Sequence, residues 1–294
     1  MPSSLPIILA HGICPFDRVI PFVFAGDNAD DDRFHYFRKI RSTLISRGFL
    51  AFHSRVSWGS SLEKRASDLQ KEIVRITDGF RTWPRVHIIA HSMAGLDARL
   101  MLYRYRLERR VASLTTIGTP HLGTPYADWG IKRFVTLIDI ARPLGLDLAG
   151  FKDLTTDRCR RLGRELAGFE DDNGVRYRTV AGIQPLERIF RPLRYSYGII
   201  WNEEGENDGL VSLRSAMWKE KYFLFKMDAD HINQIGWWDR SEAVSGISRD
   251  AFERGIREIY VGIAGSLNEG AEKTLNAWKD AAKVPADRLL EDDD

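Results

Sequence analysis

The chain has 294 residues, of which 44% are hydrophobic and 29% are charged. A chain of this length can bury a substantial core, and its composition excludes a disordered or fibrous protein. Lysine and arginine total 43 against 41 aspartates and glutamates, so the charge balance gives no electrostatic reason to expect a nucleic-acid partner.

Cysteine spacing and the N-terminal sequence bear on the cellular compartment. Cys14 and Cys159 match neither a zinc pattern nor a redox pair. The first residues lack the charged start, apolar core and cleavage site of a secretory signal. No apolar run approaches the ~20 residues that a membrane helix needs. We therefore expect a soluble, cytoplasmic protein, or a secreted one whose signal peptide has been removed.

Short apolar runs alternate with longer segments of helical period along most of the chain, which predicts an α/β fold with a mostly parallel sheet and flanking helices. The predicted strands are residues 6–10, 49–53, 86–90, 114–117, 177–183 and 222–227. The predicted helices are residues 34–47, 61–76, 94–107 and 248–263. We expect one domain of about six strands over residues 1–294, closed by C-terminal helices at 248–294.

The alternation breaks between about residues 126 and 172, where a helical stripe contains Phe134 and Ile138. This segment is interpreted as an inserted helical cap. The stripe could cover a substrate pocket and open at a lipid surface, or it could be packed core. Phe134 and Ile138 are therefore candidate pocket residues.

The third predicted strand runs directly into Ala90-His91-Ser92-Met93-Ala94-Gly95 and then into a helix. A serine between small residues on such a turn can adopt the strained geometry that exposes its hydroxyl, as in a nucleophile elbow. The usual pattern is Gly-x-Ser-x-Gly, and alanine occupies both outer positions here. Ser92 is the candidate nucleophile.

A serine hydroxyl needs a histidine base, and the histidine needs a carboxylate that fixes its tautomer. His231 follows the last predicted strand, and Asp208 lies between the last two strands, which is the expected order of serine, acid and histidine. His121 is an alternative base, but it lies in a loop rich in glycine and proline, where a structural role is preferred. Asp228 and Asp230 are alternative acids whose closeness to His231 suits a local cap better.

An oxyanion intermediate needs backbone N–H donors aimed at it. Met93, the residue after the nucleophile, is one predicted donor. Ile13 is the other, because it follows Gly12 in the loop after the first strand, where a glycine permits close backbone approach.

Jointly, five segments resemble the bacterial triacylglycerol lipase family of α/β-hydrolases. They are Pro6 to Gly12, the Ala-His-Ser-Met elbow, Thr116 to Pro125, Asn207 to Val211 and Asp230 to Gln234. The resemblance implies an α/β-hydrolase fold and hydrolysis of carboxylic esters by an acyl-enzyme route, with Ser92, Asp208 and His231 as triad. Several such lipases hold calcium through a carboxylate just after the histidine. Ile232, Asn233 and Gln234 follow it here, so no metal and no cofactor are expected.

The expected function is hydrolysis of lipid-like or other acyl esters, with the cap in transient contact with a lipid surface. Trp237 and Trp238 could line the pocket mouth, or they could be buried core. A phospholipase, a thioesterase or a polyester depolymerase could share the triad, and an inactive α/β-hydrolase could bind a lipid or a partner protein. Haloalkane and epoxide hydrolases would need an aspartate at the position of Ser92.

Overall fold

The computed structural model describes residues 5–13, 31–141 and 149–267, except for the side chains of 134–141 and 149. Cys14 and the expected C-terminal helix around Trp278 lie outside the described residues.

Six parallel strands form one sheet in the order β2-β1-β3-β4-β5-β6. The strands are β1 Ile7–Ala10, β2 Ala51–His53, β3 Val86–His91, β4 Val111–Ile117, β5 Arg176–Gly182 and β6 Phe223–Met227. Strands β1, β3 and β4 are buried along their whole length, which explains why they appear in the sequence as continuous apolar runs. The predicted α/β class and all six strands are confirmed, and the architecture is that of an α/β-hydrolase.

Nine α-helices occur within the described residues. They are α1 Ile40–Ser46, α2 Leu62–Ile76, α3 Ala94–Tyr105, α4 Pro125–Ala141, α5 Ala149–Asp153, α6 Thr156–Asp171, α7 Arg194–Glu204, α8 Leu213–Met217 and α9 Arg249–Gly265. Ser61 caps α2 and Ser248 caps α9, each accepting a backbone N–H three residues on. None of these helices has the length and apolar character that a membrane crossing requires.

The sequence interpretation was wrong about the start of α1 and silent about α7 and α8. The helix predicted over residues 34–47 begins at Ile40, because Lys39 is left-handed with φ of 55° and cannot continue a right-handed helix. Tyr36 and Phe37 are buried in the bends before it. Helices α7 and α8 are short, so their stability depends on packing that a local pattern does not show.

The two faces of the sheet hold separate apolar clusters. Successive strand residues point to opposite faces, so Ile8 packs with Leu69 of α2 and Leu96 of α3, whereas Ile7 and Leu9 pack on the side of α1 and α9. The sheet is therefore clamped between two helical layers, and its carboxyl edge is held as a rigid base for the loops that follow.

The predicted cap segment is helical, consisting of α4 to α6. Helix α6 contributes Cys159, Leu162 and Leu166 to the cluster beneath α3. A buried ion pair joins Arg99 of α3 to Glu170 of α6, with Nε 2.7 Å from Oε1. For α6, the packed-core alternative is therefore correct.

Most of the histidines are buried and held neutral. Burial is the largest cause that lowers the pKa of five of the seven, to about 3 for His11 and about 4 for His87, and well below the usual range for His53, His91 and His121. Burial acts in the opposite sense on two carboxyls, raising the pKa of Asp97 to about 6 and of Asp230 to about 7.

We expect the free energy of unfolding to fall as the pH is lowered from 6.5 towards 5. The unfolded chain takes up protons on these histidines and the folded chain does not, so each contributes a slope of about 1.4 kcal/mol per pH unit. The raised pKa values of Asp97 and Asp230 offset part of this slope, because these carboxyls take up protons in the folded chain at a higher pH than in the unfolded chain. Urea unfolding midpoints at pH 8, 7, 6 and 5 would measure the effect, and His87→Gln should make the slope shallower. A midpoint constant down to pH 5 would contradict the prediction.

Candidate active site

Ser92 lies on a strained turn at the carboxyl end of β3. Its φ is 58°, in the left-handed region that a non-glycine residue adopts only where its surroundings enforce it. Two neighbours hold it there. The Ser92 N–H donates to the carbonyl of Ile117 over 2.9 Å, and the Thr119 hydroxyl donates to the carbonyl of Ser92 over 2.7 Å. This is the geometry of a nucleophile elbow, as the sequence predicted.

Ser92, His231 and Asp208 form one hydrogen-bonded chain. Ser92 Oγ lies 2.9 Å from His231 Nε2, and His231 Nδ1 lies 2.8 Å from Asp208 Oδ2. The carboxylate acceptor at Nδ1 fixes the N–H there, which leaves Nε2 free to accept the serine proton. The structure thus joins the three residues that the sequence predicted. They lie in loops after β3, α7 and β6, in a geometry that can activate the serine.

The rival acids have other roles. Asp230 accepts backbone N–H groups from Phe190, Ile232 and Asn233 at 2.7 to 2.9 Å and so caps the turn that carries His231. Asp228 forms an ion pair with Arg188, with Oδ2 2.8 Å from Nη1. These contacts match the local role that was expected for both.

The rival base, His121, is buried on the side of the sheet that carries α3. Its Nε2 lies 2.9 Å from Thr116 Oγ1, and its Nδ1 lies 3.2 Å from Arg99 Nη1. The imidazole also stacks on Trp218 at 4.4 Å. These contacts indicate a structural residue.

Asp208 is held by four hydrogen-bonding groups. Its Oδ1 accepts from the backbone N–H groups of Leu210 at 2.9 Å and Val211 at 2.7 Å. Its Oδ2 accepts from Gln234 Nε2 at 2.7 Å in addition to the His231 ring. In the sequence, Gln234 is only the last residue of the motif from Asp230 to Gln234, and the sequence analysis missed its contact with Asp208.

The loop after β1 lies directly against the nucleophile. A Cβ atom added at Gly12 would be 2.6 Å from Ser92 Cβ and 2.8 Å from the Tyr36 hydroxyl oxygen. Only glycine permits this approach. The approach brings Ile13 beside Ser92, and Met93 begins the turn into α3 on the other side. Both backbone positions suit the oxyanion role, which stays a prediction.

A buried arginine that sequence reasoning missed holds this loop. Arg65 Nη2 donates to the carbonyl of His11 over 2.8 Å, and the same guanidinium binds Asp97 Oδ2 through Nε at 2.9 Å and Nη2 at 2.7 Å. The sequence carries a signal for it, because Arg65 falls between Leu62 and Leu69 on the apolar side of α2. A charge on an apolar helix face is either unfavourable or paired.

The pocket candidates receive little support. Phe134 and Ile138 fall within α4, and their side chains lie outside the described residues. Trp237 and Trp238 pack against the core on the side of α1 and α9, and the Trp237 indole donates to the carbonyl of Tyr36 over 3.0 Å. Both tryptophans are therefore partly buried against the core, and their place at the pocket mouth stays a prediction. Paired aromatic residues fit a core and a pocket mouth equally well, so the sequence could not decide between them.

Potential metal ligands are described over residues 5–13, 31–141 and 149–267. In those ranges, no group of three or more His, Cys, Asp or Glu side chains is arranged to hold an ion.

Comparison with known proteins agrees with the fold. The model of the PGAP1-like alpha/beta domain matches residues 49–145. Triacylglycerol lipase 2 of Saccharomyces cerevisiae is 26% identical over 271 residues, which is 80% of this chain and 81% of the yeast protein. The chain is thus similar in sequence to triacylglycerol lipases of the α/β-hydrolase superfamily.

Solved structures of lipases and esterases share the fold of this chain. The metagenomic carboxyl esterase MGS0156 superposes with a TM-score of 0.65 at 20% identity, over 89% of this chain and 75% of that one. The Staphylococcus hyicus lipase gives 0.61 at 17% identity, over 92% and 98%. The sequence similarity to triacylglycerol lipases, together with this shared fold, identifies an enzyme that hydrolyses carboxylic esters.

We expect Gly12→Ala to reduce kcat/KM by at least tenfold. The added methyl group overlaps Ser92 Cβ and the Tyr36 hydroxyl, so the loop must retreat from the nucleophile and carry Ile13 with it. Gly255→Ala is the matched control, because a Cβ there meets no atom within 4 Å. Steady-state kinetics with an activated ester would measure both variants. Full activity in Gly12→Ala would show that the position of this loop does not matter for catalysis.

Proposed function

We propose that this enzyme hydrolyses esters through an acyl-enzyme in which Ser92 is the nucleophile, His231 the general base and Asp208 the orienting acid. The observation that carries the proposal is the unbroken hydrogen-bond chain from Ser92 Oγ to Asp208, with links of 2.9 and 2.8 Å. The strained turn at Ser92 supports it, because such strain is concentrated at functional sites.

The chemistry follows from these positions. Ser92 Oγ attacks the ester carbonyl carbon as its proton passes to His231 Nε2, and the oxyanion that forms is stabilised by the N–H groups of Ile13 and Met93. The intermediate collapses, the bond to the alcohol oxygen breaks, and His231 returns the proton to the leaving alcohol. Water then attacks the acyl-enzyme with His231 as base, which releases the acid and restores Ser92.

Labelling with an active-site fluorophosphonate tests these assignments. We expect rapid adduct formation on Ser92, no adduct in Ser92→Ala, and labelling slowed by about a thousandfold or more in His231→Ala and Asp208→Asn, because the serine then lacks its oriented base. Asp228→Asn is the matched control and should label at the wild-type rate, since Asp228 binds Arg188 rather than the triad. Peptide mapping of the adduct locates it. An unlabelled but folded wild type, or equal labelling in Ser92→Ala, would contradict the proposal.

We further propose lipid-like acyl esters as the substrate class. The name of the yeast relative, a triacylglycerol lipase, supports this class. The cap supports this substrate class as well, because its helix α5 borders the predicted oxyanion loop. A Cβ atom at Gly150 would lie 3.1 Å from Ile13 Cδ1. The Gly150 N–H also donates to the carbonyl of Gly59. A panel of triacylglycerols, phospholipids, thioesters and polyesters of graded chain length separates this class from its alternatives.

We propose that the cap side of the enzyme contacts the lipid surface from which such a substrate is drawn. Helix α4 packs beside α7, where Tyr195 is 61% exposed and Trp201 is 51% exposed. Tyr195 meets Trp129 of α4 edge to face at 5.2 Å. Exposed tyrosine and tryptophan side chains favour the boundary between water and lipid, since each ring has an apolar body and a polar group.

Turnover of a long-chain ester should rise sharply when its concentration passes the micellar threshold, because the surface then adds binding that single molecules do not offer. Tyr195→Ser should reduce this rise by severalfold and leave turnover of a short soluble ester unchanged. Val244→Ser is the control, because Val244 is also exposed but lies in another segment, between α8 and α9. A smooth saturation curve across the threshold would count against surface contact.

A further inference from the structure

Behind the triad lie three buried polar side chains, Tyr36, His91 and Gln234, of which Gln234 contacts Asp208. The Tyr36 hydroxyl lies 2.7 Å from His91 Nδ1, and Gln234 Nε2 donates to Asp208 Oδ2 over 2.7 Å. His91 and Gln234 have no accessible surface, and the His91 ring lies 4.6 Å from the ring of His231. None of the three has a role in the triad itself.

His91 and Gln234 lie between these two hydrogen bonds. Among the described residues, His91 Nε2 and Gln234 Oε1 are buried atoms without a hydrogen-bond partner. Burial and the nearby His231 lower the pKa of His91 well below its usual range, and the His231 backbone and the Gln234 side chain oppose that effect. A neutral imidazole that accepts the Tyr36 proton at Nδ1 carries its own proton at Nε2, which faces the carboxamide oxygen.

The orientation of the Gln234 carboxamide follows from this arrangement. With its oxygen towards His91, its NH2 group must face Asp208. Two glycines confine it further, because a Cβ at Gly118 would overlap Gln234 Oε1 and a Cβ at Gly182 would overlap Nε2. The backbone is also held, since the Tyr260 hydroxyl donates to the Gln234 carbonyl over 3.0 Å. The carboxamide is therefore locked at the ends of β4 and β5.

We propose that Gln234, oriented by His91 and Tyr36, is a positioning residue that holds the Asp208 carboxylate in line with His231. The proposal rests on the proposed triad function. An Asp208 oxygen that lacks this donor can rotate about the contacts made by Leu210 and Val211 and lose its alignment with His231 Nδ1. Tyr36 also borders Gly12, so the same network contacts the acid of the triad at one end and the predicted oxyanion loop at the other.

A double-mutant cycle distinguishes positioning from simple packing. Gln234→Met keeps the length and bulk of the side chain and removes the donor. We expect it to slow fluorophosphonate labelling of Ser92 by tenfold to a hundredfold in the wild-type background, as the loss of a hydrogen bond to a charged group does. In the Asp208→Asn background it should slow labelling by no more than about threefold. In Asp208→Asn, the Leu210 and Val211 amides keep the side-chain oxygen of the new asparagine on their side. Its NH2 group then faces the NH2 group of Gln234, so the hydrogen bond between the two side chains is already lost.

Gln184→Met is the matched control, because Gln184 is a buried glutamine that also donates to a carboxylate, Glu242, away from the triad. It should label at the wild-type rate. Equal slowing by Gln234→Met in both backgrounds, or wild-type labelling in the wild-type background, would overturn the positioning role. Should Gln234→Met fail to fold, Tyr36→Phe removes a single oxygen and should slow labelling about threefold in the wild-type background and not at all in the Asp208→Asn background. Labelling that persists in Ser92→Ala would instead overturn the triad itself.

Discussion

The left-handed backbone of Ser92 is the constraint on which the rest of this site depends. A conformation of this kind costs about 1–3 kcal/mol at a non-glycine residue, and it persists because β3 leads into it and α3 leads out of it as fixed elements. The carbonyl of Ile117 and the hydroxyl of Thr119 complete the restraint from β4 and the loop after it. The core on both faces of the sheet therefore stabilises a geometry that the local sequence would not adopt alone.

The parallel sheet also explains why residues far apart in the chain meet at one place. All six strands point the same way, so the loops that follow them emerge at one edge. Ser92 follows β3, Gly12 follows β1 and His231 follows β6, while Asp208 comes from the connection between β5 and β6. Short hydrogen bonds between buried polar groups then fix each of these loops.

Two buried ion pairs hold the helices that surround the site. Arg65 with Asp97 ties α2 and α3 to the loop after β1, and Arg99 with Glu170 ties α3 to α6. Such pairs add little net stability, because desolvation offsets their attraction, but each demands its partner in one place. Helix α3, which begins at the nucleophile, is thereby fixed to the main body and to the last helix of the cap.

The sequence by itself determined the fold class and the six strands, and it predicted the triad residues Ser92, Asp208 and His231, which the structure brings together. Strands buried on both faces leave continuous apolar runs, and a strand-turn-helix serine with a later acid and histidine has few other interpretations. The same reasoning placed the start of α1 six residues early and gave no account of α7 and α8, since left-handed Lys39 and the packing of short helices leave no periodic signal.

Only the tertiary structure decided which side chains support the triad. Tyr36, His91 and Gln234 lie up to 198 residues apart in the sequence, and nothing local distinguishes a glutamine that orients a carboxylate from one on the surface. The tertiary structure also placed Trp237 and Trp238, partly buried, against the core cluster on the side of α1 and α9, and α6 in the packed body. The physical reason is the same throughout: hydrogen bonds and core contacts depend on where two segments meet, and a pattern within one segment records its burial but not its partner.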